Sequence, residues 1–165
     1  MGVFNWFKKK EESINCTGVI EWGHTQEHYH EGEFLSAFFC NGEGDHRLGV
    51  IVDNPSFYEY AEKCVGAFNK LSKDTITDIC KRIIKCAKKC GMKEGRDIPK
   101  MKDPTDILNY CWFETLSPEE KKDNKSVTFA IEGEGEWGEC IGFVISNGKV
   151  VYVGDDCVGF LIKRL

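Results

Sequence analysis

The densest group of potential metal ligands in this sequence is a set of three histidines within seven residues. His24, His28 and His30 could supply imidazole nitrogens to a zinc ion, and Glu27 and Glu31 could complete its coordination. The segment is polar and contains glycine, which is typical of an exposed hairpin loop. No His-Glu-x-x-His motif is present. The three histidines are therefore only weak metal candidates, and we expect no cofactor.

Nine cysteines could form a disulfide framework or a redox site. Their number is odd, and the N-terminus places apolar residues before its charges, the reverse of a secretory signal. Cys86 and Cys90 lie one helical turn apart, but the Cys-x-x-Cys spacing of thioredoxin-like chemistry is missing. Cys80 and Cys90 continue an apolar helical stripe. We therefore predict reduced core thiols and a cytoplasmic protein.

A third group is the glycine–glutamate tract at residues 132–139. Paired carboxylates could cleave a glycoside or bind calcium, but neither use is supported by a defined ligand spacing. The glycines around its tryptophan are typical of a strand end or a β-bulge. An acidic rim around an aromatic side chain is also typical of a protein-binding patch. We therefore predict a partner-binding site, with the His24–His30 segment second to it, at Glu132, Glu134, Glu136, Trp137 and Glu139.

Several function classes are disfavoured by missing motifs. The sequence contains no Gly-x-Ser-x-Gly, phosphate-binding loop or dinucleotide fingerprint. The basic segment 81–89 lacks the interleaved aromatics of a nucleic-acid site, and the whole chain carries a net charge of −5. No apolar run approaches the roughly 18 residues that span a bilayer. We expect no enzyme activity, no nucleic-acid binding and no stable membrane insertion.

The elements that must position these residues run in the order strands, helices, strands. Strand patterns cover 13–22, 33–39, 48–52, 111–116, 126–133, 139–145, 149–154 and 158–164. Helical periodicity covers 55–71 and 75–90, and a turn of helix at 104–110 follows Asp103. The predicted fold is α+β, a mostly antiparallel sheet with a central pair of antiparallel helices packed on one face. Residues 1–165 are expected to form a single domain, with residues 1–12 as an N-terminal arm or short helix.

Charge is distributed unevenly along the chain. The net charge is −5 for residues 1–53, +6 for residues 54–102 and −6 for residues 103–165. If the two ends fold together, the basic helical segment and the acidic strands give a polarised surface. Such a surface steers a partner of opposite charge.

The stretch from Pro104 to Gly154 resembles the C-terminal portion of a family of small, uncharacterised bacterial proteins. The helical pair before it is similar in layout, so the resemblance covers about two thirds of the chain. The resemblance lies in three segments: Asp106–Tyr110, the acidic tryptophan tract Gly135–Glu139, and the hairpin that runs through Asn147-Gly148 to Gly154. In that family an element Cys-Asp-Trp-x-x-Glu-His-Gly precedes a strand, a glycine turn and a strand ending in Val-Gly. Glu134–Glu139 stands in its place, without the Cys and the final His-Gly. Such proteins are similar to the immunity proteins encoded beside bacterial toxins.

The resemblance implies a binder that blocks a cognate toxin and supplies no catalytic residues. Together with the acidic tract, it leads us to expect a cytoplasmic protein-binding module, an immunity protein whose toxin or other partner has a basic surface. Two alternatives stay open: a metal-dependent or small-molecule-binding enzyme using the His24–His30 segment, and a housekeeping interaction protein. The oligomeric state is not indicated by the sequence.

Overall fold

The computed structural model describes residues 19–121 and 125–164, so the predicted arm at 1–12 and most of the strand predicted at 13–22 lie outside the described residues. Seven β-strands occur in these ranges: β1 (Glu21–Gln26), β2 (Tyr29–Leu35), β3 (Arg47–Val52), β4 (Cys111–Pro118), β5 (Thr128–Gly135), β6 (Cys140–Ser146) and β7 (Lys149–Gly154). The helices there are α1 (Tyr58–Asn69), α2 (Lys73–Lys89) and α3 (Cys157–Ile162). Two 3₁₀ turns, Pro55–Phe57 and Pro104–Asn109, accompany them.

The seven strands form one sheet in chain order, β1 to β7. All neighbours are antiparallel except β3 and β4, which are parallel. A parallel pair needs a long crossover connection, and α1, α2 and both 3₁₀ turns lie in that connection. The prediction of an α+β fold with a mostly antiparallel sheet is therefore confirmed.

Helices α1 and α2 pack on the same face of the sheet, which we call the helical face. Asn54 accepts a hydrogen bond from the Ser56 amide where the first 3₁₀ turn begins, and Ser72 accepts one from the Thr75 amide at the start of α2. Buried residues of both helices join one hydrophobic cluster with β2–β6. Helix α1 contacts β3 and β4, whereas α2 contacts β7 and the second 3₁₀ turn. That the two helices form an antiparallel pair stays a prediction.

Four phenylalanines lie at the centre of this cluster. The Phe39 ring centroid lies 5.3 Å from that of Phe68 and 5.1 Å from that of Phe113, and the Phe113 and Phe143 centroids are 5.4 Å apart. All four rings are buried. Because Phe39 follows β2 while the others come from α1, β4 and β6, this packing joins the helical layer to both halves of the sheet.

The strand predicted at 158–164 is wrong, because Cys157–Ile162 is helix α3. The Asp156 carboxylate accepts a hydrogen bond from the Gly159 amide and caps the helix. Cys157 and Leu161, four residues apart, are buried against Ala130 and Val144 on the sheet face opposite α1 and α2. The buried positions therefore follow the helical period rather than the alternation of a strand.

The exposed loop predicted at 23–32 is also wrong, because most of it is paired in the β1–β2 hairpin. Trp22 pairs with Gly32, and Gln26 pairs with Tyr29 across a two-residue turn. Strand β2 ends earlier than predicted, since the Ser36 hydroxyl accepts a hydrogen bond from the Phe39 amide at 2.9 Å and turns the chain. Strand β4 extends to Pro118, beyond the end predicted at residue 116. The turn capped by Asp103 is confirmed.

Candidate binding face

The face of the sheet opposite α1 and α2 is covered only in part. Helix α3 contacts β5, β6 and β7, and the same face of β1–β4 carries no helix in the described residues. Strand alternation and register place the following side chains there, and we call this surface the open face: Glu21, His24, Gln26, Tyr29, Glu31, Glu33, Leu35, Arg47, Ile51, Trp112, Glu114, Thr115, Ser117, Glu132 and Glu134.

Apolar side chains interrupt the polar surface of the open face. On β2, His30 and Phe34 are buried on the helical face, while Tyr29 and Leu35 point the other way and are 36% and 41% exposed. Ile51 and Trp112 are half-buried, and neither belongs to the clusters beneath α1 and α2 or beneath α3. Four apolar side chains on one unpacked face are consistent with a contact surface.

The open face is strongly acidic. It carries six glutamates and one arginine, Arg47, on β3. The Arg47 guanidinium lies 3.1 Å from the Glu33 carboxylate and 3.7 Å from that of Glu21. Its hydrogen bond to Glu33, and then the charge of Glu33, raise the pKa of Arg47 above its ordinary value. The β1–β2 half of the face is therefore partly neutralised.

The β4–β5 half of the open face keeps its negative charge. Among the described residues, no cation lies within ion-pairing distance of Glu114, Glu132 or Glu134. Partial loss of hydration beside α3, and then the charge of Asp156, raise the pKa of Glu132. Such uncompensated carboxylates favour a cationic partner.

The predicted tract at 132–139 divides between two environments. Glu132 and Glu134 lie on the open face as exposed residues of β5. Glu136 and Glu139 are exposed in the β5–β6 turn, which the Gly138 amide closes on the Gly135 carbonyl at 2.9 Å. The Trp137 ring lies directly over Gly135 and packs against the helical-face cluster.

The tryptophan on the open face is therefore Trp112 rather than Trp137. Trp112 is paired with Glu134 across β4 and β5. Sequence reasoning missed it, although its position between the buried Cys111 and Phe113 is the alternation that places a side chain on the opposite face.

The three predicted histidines do not converge. His24 is paired with Glu31 on the open face, and its Nε2 lies 3.0 Å from the side-chain amide nitrogen of Gln26. His28 is exposed in the turn. His30 is buried on the helical face, where Nδ1 lies 2.8 Å from the Tyr58 hydroxyl. Within residues 19–121 and 125–164, no three His, Cys, Asp or Glu side chains are grouped closely enough to hold a metal ion.

The helix cysteines differ in their exposure. Cys80 is buried, and burial raises its pKa to about 12. Cys86 is half-buried, and its thiol lies 3.6 Å from the Val153 carbonyl oxygen. The expectation that Cys90 lies in the core is wrong, because this residue is the exposed C-cap of α2. Because α2 ends at Lys89, Cys90 does not continue the buried face of the helix.

A buried carboxylate connects the end of β4 to α3. The side chain of Glu119 is 1% exposed, and one of its oxygens lies 3.0 Å from the Lys121 ammonium nitrogen and 3.5 Å from Nε of Arg164. Nearby, the Tyr60 hydroxyl donates to the Ser126 carbonyl at 2.8 Å and accepts from the Thr128 amide at 3.0 Å. These contacts are structural, because the carboxylate is not accessible from outside.

One small cavity lies in the described part of the chain. A cavity lined by Phe38, Leu108 and Phe113, among others, measures about 10 Å³, roughly the space for one water molecule. No helix in the described ranges combines the length and the apolar character needed to cross a membrane. In the described residues, the open face combines carboxylates that have no cation within ion-pairing distance with exposed or half-buried apolar side chains.

Comparison with known proteins yields a family without a recorded activity. The family model described as "Domain of unknown function (DUF6985)" matches residues 7–160. No curated protein and no solved structure matches the chain. The likeness to immunity proteins therefore remains a prediction.

Proposed function

We propose that this chain, which belongs to the family of the domain of unknown function DUF6985, is a protein-binding module that uses its open face to cover a basic surface of a second protein. The observation that carries the proposal is a sheet face that no helix of the described residues covers over β1–β4, where six glutamates accompany four apolar side chains: Tyr29, Leu35, Ile51 and Trp112. Protein interfaces usually have an apolar centre and a polar or charged rim.

The charge arrangement supports directional association. Helix α2 lies on the opposite side of the sheet and exposes five cations: Lys81, Arg82, Lys85, Lys88 and Lys89. The acidic and basic surfaces are thus separated by the sheet, so a cationic partner is attracted to one side and repelled by the other. Attraction of this kind raises the association rate and weakens as salt is added.

In its most specific form, the proposal is that the chain is an immunity protein that neutralises a cognate toxin by occlusion. A rigid sheet face can cover an active surface without performing chemistry, and the absence of catalytic motifs in the sequence supports this over an enzyme. The cysteines in the described ranges are all free thiols, which supports action in a reducing cytoplasm.

The test uses the purified protein encoded by the gene adjacent to that of this chain. We expect the two to co-elute at micromolar concentration and co-expression to protect cells from the second protein. Leu35→Arg should abolish both effects, because it adds a cation to the open face. Ile162→Arg, on α3 at a position 60% exposed, is the matched control and should leave both intact. Absence of a complex together with absence of protection would refute the proposal.

A further inference from the structure

Resting on this proposed function, we infer that Trp112, Glu114 and Glu134 form a site for one arginine side chain of the partner. The guanidinium stacks on the indole and donates hydrogen bonds to the flanking carboxylates. The site lies in the β4–β5 half of the open face.

The backbone brings the three side chains together. Trp112 and Glu134 are directly opposed on β4 and β5, so their Cβ atoms lie about 5 Å apart. The register shifts between Phe113 and Thr115, which makes Glu114 the additional residue of a β-bulge. Bulges redirect a side chain, and the Glu114 carboxylate and the Trp112 indole lie beside the same residue, Gly42.

The loop between β2 and β3 holds this arrangement in place. The Gly42 amide donates to the Glu114 carboxylate at 3.3 Å, and a Cβ at Gly42 would lie 3.3 Å from the indole Cδ1 and Nε1. The loop itself is closed by Asn41, whose side-chain oxygen accepts from the Glu43 and Asp45 amides at 3.0 Å each. The carboxylate and the indole are thus fixed before a ligand arrives, which reduces the entropy lost on binding.

The distribution of ion pairs favours cation binding in the β4–β5 half of the open face. Arg47 already bridges Glu21 and Glu33 in the β1–β2 half. Glu114 and Glu134 have no cation within ion-pairing distance in the described part of the chain. A partner's cation therefore gains most beside Trp112.

The geometry favours arginine over lysine. A guanidinium is planar, stacks on an indole and donates several hydrogen bonds in its own plane, whereas an ammonium acts as a compact, strongly hydrated charge. The Trp112 indole can stack on a guanidinium, and the Glu114 and Glu134 carboxylates can accept its hydrogen bonds.

The experiment uses a blocked hexa-arginine peptide titrated into the ¹⁵N-labelled protein at low salt, with hexa-lysine as the comparison. We expect saturable shifts of the Trp112 indole N–H and of the Gly42, Glu114 and Glu134 amides, and weaker binding of hexa-lysine. Trp112→Leu should weaken hexa-arginine binding by about 3- to 30-fold, the range of a cation–π contact. Trp112→Phe keeps an aromatic ring and should retain part of the affinity.

The controls separate this site from diffuse attraction. Glu134→Gln should weaken binding, whereas Glu62→Gln, an exposed carboxylate on α1, should not. Equal affinities for the two peptides, or equal effects of Glu134→Gln and Glu62→Gln, would overturn the arginine site even if the adjacent-gene protein still bound. Conversely, saturable Trp112 shifts with neither a complex with that protein nor protection of cells would support the site and refute the proposed function.

Discussion

Leu35→Thr and Phe34→Ala compare two adjacent residues of β2 whose side chains lie on opposite faces of the sheet. Phe34 is 3% exposed, and its ring is edge-on to Phe68 with centroids 5.8 Å apart. Truncation of such a phenylalanine costs about 3–5 kcal/mol of unfolding free energy. Leu35 is 41% exposed, and no helix of the described residues covers β2 on that side of the sheet. Because threonine is β-branched and suits a strand, Leu35→Thr should cost about 1 kcal/mol or less.

Urea unfolding followed by circular dichroism measures both losses. With a total stability of about 5–15 kcal/mol for such a domain, Phe34→Ala should lower the midpoint strongly and Leu35→Thr only slightly. The slope of the unfolding free energy against urea should stay unchanged for Leu35→Thr. If Leu35→Thr were as destabilising as Phe34→Ala, Leu35 would be packed against another part of the chain, and the open face would not be available to a partner.

Three further predictions concern stability and reactivity. Arg164→Ala removes a partner of the buried Glu119 carboxylate and should cost about 1–3 kcal/mol by thermal denaturation, whereas Lys163→Ala, whose ion pair is exposed, should cost much less. A thiol reagent at pH 8 should modify the exposed Cys90 in the native protein, while thiols whose pKa burial raises to about 12 should react only after unfolding: Cys64, Cys80 and Cys157. The raised pKa of Glu132 means that the native state binds this proton more tightly, so its contribution lowers stability as pH rises through the carboxylate range. Glu132→Gln should therefore stabilise the protein relative to wild type more at neutral pH than in acid, and a pH-independent difference would contradict this sign.

Periodicity predicted most elements because their buried faces are regular. The apolar spacing of α1 and α2 and the Asn147-Gly148 turn between β6 and β7, where both residues have positive φ, have local causes. Helix α3 was mistaken for a strand because its short apolar sequence fits either period. Contact with Ala130 and Val144, which the local sequence does not show, decides the outcome.

The open face was predicted only in part, since it depends on register rather than on sequence proximity. Glu132 and Glu134 were identified from an acidic tract, but Trp137 was selected because it is adjacent in sequence. The structure packs Trp137 over Gly135 and brings Trp112 opposite Glu134 from another strand. Likewise, His24 and His30 are close in sequence yet lie on opposite faces of the sheet. They belong to different strands of the hairpin, and His24 pairs with Glu31 rather than with His30.

Zero-length carbodiimide crosslinking of the complex with the adjacent-gene protein tests the central claim most directly. The reagent joins only carboxylates and amines that are already in contact, so mass spectrometry identifies the face that the partner covers. If the partner covers the open face, we expect crosslinks from Glu31, Glu114 or Glu134 to partner lysines. These crosslinks should disappear at high salt. Crosslinks confined to Glu59 and Glu62 on α1, with none from the open face, would contradict it.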